Sequence, residues 1–187
     1  MGNLILASSS PRRREILSML GLNFEVVPAN IEEKFSGNPI VGARKLARSK
    51  ALWVWLRHKR GVVIGADTLV FTENRVLGKP ENREEAVSML EYLSGRWHRV
   101  VTAVSFVGKG VRVSLHDVAR VKFRKLSRRE IEEYVLTGEP LDKAGAYGIQ
   151  GYGASIVERI EGSFYTVMGL PVHRVVPLLK ELSILKA

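Results

Sequence analysis

Asn3-Leu4-Ile5-Leu6-Ala7-Ser8-Ser9-Ser10-Pro11-Arg12-Arg13-Arg14 is the stretch on which the fold turns. Its first five residues form a short apolar run, the pattern of a buried strand. Ser10-Pro11 then opens a helix, because serine is a good N-cap and proline suits the first helical position. Ile16, Leu17, Met19 and Leu20 give that helix an apolar face, and Gly21 ends it. A strand feeding directly into a helix marks an α/β protein.

The same alternation continues outward. Asn23 to Pro28 reads as a strand, Ile40 to about Arg57 as a long helix, and Gly61 to Asp67 as a β-branched buried strand. Leu69 to Leu77 reads as a hairpin turning at Glu73-Asn74, although without a glycine. Asn82 to Leu93 is a predicted helix, with Asn82 and Glu85 as a capping-box variant. Arg99 to Val107 and Val111 to Phe123 form a second hairpin around Gly108-Lys109-Gly110. Ser127 and Glu130 make a capping box for a helix to Leu136. Thr137 to Gly153 is a long glycine-rich loop, a length usually reserved for function or disorder. Ser155 to Ile160 is a strand, and Pro171 to about Leu182 closes the chain as a helix. The prediction is a mixed, twisted sheet flanked by helices, with antiparallel hairpins.

Length and composition bound what such a chain does. The 187 residues favour a single domain spanning 1–187, or two lobes around one core. The absence of cysteine excludes disulfides and thiolate metal sites and predicts a cytoplasmic protein. The opening residues lack the basic segment of a secretory signal. The longest unbroken apolar run, Ala51 to Leu56, is far below the roughly 20 residues that span a bilayer, so no membrane association is expected. A net charge of +10 attracts polyanions, but it is dispersed and does not choose among nucleic acid, anionic lipid and nucleoside triphosphates.

Several segments carry chemistry. Ser8 to Arg14 joins a strand end to a helix start, where backbone N–H groups, the helix dipole, hydroxyls and guanidinium forks suit a phosphate. On its own the segment serves equally as a capped surface helix with solvated arginines. Gly65-Ala66-Asp67-Thr68 puts a carboxylate at the end of an apolar strand, where it would hold Mg²⁺ or accept a proton from water; alone, it reads better as a turn-forming Asp. Glu32-Glu33 offers paired carboxylates to a hard cation, though most such pairs are solvated loop acids. Lys50, Lys79 and Lys143 each suit a phosphate or a plain surface. Gly78-Lys79 lacks the spacing of a Walker A loop, and His58, His98, His116 and His173 are too scattered for a zinc site. Trp53, Trp55 and Trp97 read as packing residues.

The order of these segments is more specific than any one of them. Leu6 to Arg13, Ile64 to Thr68, Leu77-Gly78-Lys79-Pro80, Leu93 to Arg96 with His98, Gly138 to Gly151, and Val167 to Pro171 together resemble the Maf family of nucleotide pyrophosphatases across nearly the whole chain. The resemblance implies a fold related to the inosine-triphosphate pyrophosphatases, with a substrate cleft between two lobes. It implies hydrolysis of a nucleoside triphosphate to the monophosphate and pyrophosphate, with a divalent cation, Mg²⁺ or Mn²⁺. Asp67 matches the family's proton acceptor, and Glu33 falls at its acidic metal ligand; beside Glu33, Asp67 is also a candidate ligand to the ion. Ser8, Arg13, Lys50 and Lys79 match the residues that hold the triphosphate, and Lys143 joins this substrate set. Arg12, Thr68 and Gln150 resemble the dTTP/UTP-preferring branch; the branch acting on 7-methyl-GTP has tryptophan, glutamine and glutamate there. Two departures stand out: Glu32 replaces the commoner Asp, and Phe164-Tyr165-Thr166 replaces a more polar stretch. A homodimer is compatible with the resemblance. A nucleic-acid-binding regulator of septum formation is the weaker alternative, since phosphate-directed basic residues account for part of the charge.

Overall fold

A computed structural model of the chain describes residues 4–185; Asn3, the first residue of the expected opening strand, lies outside them. Seven strands form one mixed sheet in the order β2-β1-β3-β5-β6-β7, with β4 paired to β3. The strands are β1 Leu4–Leu6, β2 Phe24–Val26, β3 Val62–Phe71, β4 Val76–Leu77, β5 Trp97–Gly108, β6 Val111–Phe123 and β7 Val157–Glu161. The helices are α1 Pro11–Met19, α2 Pro39–His58, α3 Arg83–Leu93, α4 Arg128–Leu136, α5 Phe164–Met168 and α6 Val172–Glu181. No helix among the described residues is long and apolar enough to cross a membrane.

The chain divides into two compact units, and the division falls within β3, β5 and β6. The first comprises Met1–Asp67, Thr102–Asp117 and Gly169–Ala187. In it β1 pairs in parallel with β2 on one side and with the start of β3 on the other, Ile5 facing Glu25 and Val63. β1 is buried throughout, the all-apolar pattern of a strand covered on both faces, whereas β2 at the sheet edge exposes Glu25. Ile5, Ala7, Ala51, Val54, Val63 and Val107 form a core, with Trp53 and Trp55 packed against it. Asn38 caps α2 by accepting from the Ile40 and Val41 amides at 2.9 and 3.3 Å.

The second unit comprises Thr68–Val101 and Val118–Met168. Its larger core gathers Leu77, Met89, Leu90, Leu93, Phe123, Tyr134, Tyr147 and Ile156, among others. The end of β3 turns into β4 without a glycine because the Thr72 hydroxyl accepts from the Asn74 and Arg75 amides, supplying the turn from a side chain. Ser127 and Glu130 form the reciprocal capping box on α4. At α3, Asn82 accepts from the Glu85 amide at 2.8 Å, but the Glu85 carboxylate reaches back to Glu81 rather than to the cap.

Four expectations need correction. β3 is one continuous strand through Asp67, not a strand followed by a separate hairpin arm. Met19 is exposed, so the apolar face of α1 reduces to Ile16 and Leu17. Ser155 and Ile156 lie in a 3₁₀ turn and β7 begins at Val157. The glycine-rich loop is built of three such turns, Glu139–Asp142, Ala144–Ala146 and Gly151–Ile156.

Candidate active site

The buried face of α2 carries Ala43, Leu46, Ala47, Lys50, Ala51 and Val54. Ala47 and Ala51 stand one turn apart and press directly on Gly65 of β3, where a side chain would meet the Ala47 carbonyl oxygen. This close approach brings Lys50 to the strand two residues further on. Its Nζ donates to Asp67 Oδ1 at 2.6 Å and lies 2.8 Å from Glu33 Oε1. Lys50 and Asp67 are 6% and 4% exposed, so this charge pair has left bulk water. Glu33 reaches it from the loop between β2 and α2 and is half-exposed. Its neighbour Glu32 pairs instead with Lys34 in solvent, which separates the roles of the two adjacent acids.

Burial pushes the Asp67 carboxyl above its ordinary range; the Lys50 ammonium and the Arg13 guanidinium oppose that rise, and the Glu33 charge adds to it. Asp67 Oδ2 is buried with no hydrogen-bond partner among the described residues. A carboxylate oxygen in that condition is costly unless something else meets it.

Ser8 follows β1, and Arg13 sits on the buried side of α1. The Arg13 Nη1 donates to Ser8 Oγ at 3.0 Å and its Nε to the Gly169 carbonyl at 2.9 Å, while the Ser10 amide donates to the same Ser8 oxygen at 3.2 Å. Ser10 caps α1 by backbone geometry alone, without a side-chain bond. Burial lowers the Arg13 pKa, partly countered by Asp67 and Glu33, so all three charges act in one electrostatic neighbourhood. Arg12 is half-buried, and its Nε has no hydrogen-bond partner among the described residues. The first unit therefore brings together Ser8, Arg13, Glu33, Lys50 and Asp67: cationic and hydroxyl donors beside two carboxylates.

Thr68, Lys79, Lys143 and Gln150 belong to the second unit. Lys79 is exposed, and the Gly78 carbonyl before it accepts from Gly145 at 3.0 Å. Thr68 and Gln150 are half-buried. Lys143 donates to the Glu139 carbonyl and to Asp142 Oδ1, both at 2.6 Å, so here it braces its own loop. Among the described residues no group of three or more His, Cys, Asp or Glu is placed to hold a metal ion.

Residues 3–182 match the family described as Maf-like protein. The chain belongs to the Maf family. Among its Maf relatives, the dTTP/UTP pyrophosphatase of Aquifex aeolicus (strain VF5) is 56% identical over 183 residues, covering 97% of this chain and 96% of that protein. A protein of the same description from Thermococcus gammatolerans (strain DSM 15229 / JCM 11827 / EJ3) is 51% identical over 170 residues, 91% of each chain. Among solved structures, the Staphylococcus aureus Ham1 protein aligns over 97% of both chains with a TM-score of 0.52 and 12% identity, a likeness of fold alone. Sequence reasoning found Lys50 and Asp67 of this Maf chain as separate candidates. It missed that Gly65 lets them meet, and it gave no role to Glu139, which lies within the block Gly138 to Gly151.

Proposed function

We propose that this chain hydrolyses nucleoside triphosphates, dTTP and UTP foremost, to the monophosphate and pyrophosphate. The observation that carries the reading is the buried Lys50–Asp67 pair, with one Asp67 oxygen left unpartnered, in the same electrostatic neighbourhood as Arg13. The activity by which relatives at 56% and 51% identity are named supports the substrate class. Arg12, Thr68 and Gln150, the residues that resemble the dTTP/UTP branch, support the preference.

Water attacks the α phosphorus, forming one P–O bond as the α–β bridging bond breaks and pyrophosphate departs. The water proton passes to Asp67 Oδ2, the unpartnered atom. Lys50 holds the other carboxylate oxygen, fixing the acceptor's direction and opposing the rise in pKa that burial imposes on it. Arg13 and Ser8 are already joined and offer the phosphates a preformed donor pair. Catalysis of this kind is mostly positioning and electrostatics.

The donor set also fits a hard divalent cation. Glu33 and the Asp67 carboxylate would hold such an ion, with one lone pair of Oδ2 kept for the water proton, and Mg²⁺ commonly takes one or two carboxylates with the rest from phosphates and water. Such an ion, Mg²⁺ or Mn²⁺, supplies charge neutralisation at the phosphates and a more acidic water. We assign the reaction to the cytoplasm, in keeping with the cysteine-free sequence.

Pyrophosphate release from UTP, dTTP, CTP, ITP and 7-methyl-GTP tests the reading. The wild-type chain favours dTTP and UTP. The variant Asp67→Asn, which keeps shape but cannot take the proton, loses about 10²–10⁴-fold in kcat while still binding nucleotide. Full turnover by that variant refutes the role given to Asp67.

A further inference from the structure

The glycine-rich loop owes its shape to one carboxylate. Tyr134 of α4 is wholly buried, and its hydroxyl donates to Glu139 Oε1 at 2.8 Å. The same hydroxyl oxygen accepts from the Gly148 amide at 3.0 Å. The Glu139 carboxylate also accepts from the Tyr152 amide at 3.0 Å and the Gly153 amide at 3.2 Å. Tyr152 stacks on Tyr134 with ring centroids 5.5 Å apart and planes 16° from parallel. From the other side Lys143 ties down the Glu139 carbonyl.

The glycines make room for these bonds. A methyl on Gly151 would stand 2.7 Å from Glu139 Oε2, and one on Gly153 would stand 2.6 Å from the Tyr134 hydroxyl and 2.2 Å from the Gly148 carbonyl. Gly151 also holds φ at +64°, where a side chain is strained. The glycines are present so that backbone can lie against a carboxylate and a phenol. What looks in the sequence like a flexible loop is a fastened one.

The fastening brackets Ile149, Gln150 and Gly151, with Gln150 at the centre. Gly148 is held two positions before Gln150 and Tyr152 two positions after it, so the Gln150 backbone has little freedom of its own. We infer that Glu139, with Tyr134, is the positioning device for Gln150, and that discrimination among nucleoside triphosphates depends on this clamp. The inference rests on the functional reading above, in which Gln150 is one of the residues that set the preference for dTTP and UTP. Glu139 itself touches no reacting atom. It acts by limiting where the Gln150 side chain can be, and selectivity suffers when a reading group moves by about 1 Å.

The test uses two isosteric variants of the full chain, Glu139→Gln and Tyr134→Phe. Glutamine keeps the volume but turns an NH₂ toward backbone N–H groups, so one or more of the three bonds to the carboxylate is lost. Phenylalanine removes only the hydroxyl, and it serves should the first variant fold poorly. Two quantities are read: amide hydrogen exchange at Gly148, Tyr152 and Gly153, and the ratio of kcat/KM for UTP to that for CTP and for 7-methyl-GTP, with Mg²⁺. We expect exchange at those amides to quicken and the ratios to fall by about tenfold, mostly through KM for UTP, with kcat little changed. Unaltered exchange overturns the clamp. Quickened exchange with unaltered ratios, or an equal loss on every nucleotide, overturns its link to selectivity. A wild-type chain that hydrolyses no triphosphate overturns the functional reading itself, a result distinct from an active variant with unchanged preference.

Discussion

At Gly65 the backbone of β3 lies against the backbone of α2. A methyl group added there would stand 2.2 Å from the Ala47 carbonyl oxygen and 2.6 Å from the Ala51 nitrogen. Neither atom belongs to a flexible side chain, so the helix itself must move. Gly65→Ala is expected to destabilise the fold by about 1–3 kcal/mol, read from the urea midpoint, the range typical of overpacking. It should also lower turnover, because Lys50 moves with the helix that carries it. The sequence marks Ile64 to Thr68 as important but offers no reason for the glycine. The reason lies in residues 14 to 18 positions earlier, and only the folded chain brings them together. The same holds for Lys50 and Asp67: each is an ordinary candidate alone, and burial as a pair is what makes them informative. Arg13 and Ser8 were easier to read, because five residues and a strand-to-helix junction already place them together.

At the scale of elements, local chemistry was mostly legible. The caps at Asn82 and Ser127 locate α3 and α4, and apolar spacing alone locates α2, whose cap Asn38 went unread. Asn82 offers a direct check. Asn82→Ala should cost about 1 kcal/mol by chemical denaturation, because the Glu85 amide loses its acceptor, whereas Asn82→Gly should cost only a few tenths. The elements that escaped share a physical cause. α5 has five residues, too few to show a helical period. β3 was cut at Asp67 because an acid inside an apolar run ordinarily marks a strand end; burying it requires a cation that sequence order does not reveal. The loop before β7 read only as long and glycine-rich, because its order comes from Glu139 and Tyr134, not from a repeating backbone pattern.

For the molecule as a whole, acid is the informative stress. His98 is buried in the second unit, with Nε2 2.8 Å from the Tyr147 hydroxyl and the Phe123 and Tyr147 rings edge-on to it. Burial pushes its pKa from 6.5 down to about 3. Between those values the unfolded chain takes up a proton that the folded chain refuses, so stability is lost as pH falls from 6.5 toward 3. The loss approaches about 1.4 kcal/mol per pH unit for this one group. Urea titrations at stepped pH should therefore give a shallower acid slope for His98→Asn than for the wild type, even though the variant is less stable near neutrality. The sequence placed His98 in a family signature without saying why; its role is visible only once three rings meet in the core.

β3 runs unbroken from Val62 to Phe71, with Asp67 in its middle rather than at its tip. Side chains alternate between faces along a strand, so adding or deleting one residue inside it turns every later side chain to the opposite side. A single-residue insertion between Gly65 and Asp67 would aim the carboxylate away from Lys50. The Thr72 to Arg75 turn, by contrast, lies beyond the strand, closed by the Thr72 amide on the Arg75 carbonyl and by the Thr72 hydroxyl, and can change length without disturbing that alternation. Lineages carrying this fold are thus free to vary in length at the hairpin tip, while the strand beneath it must keep its residue count.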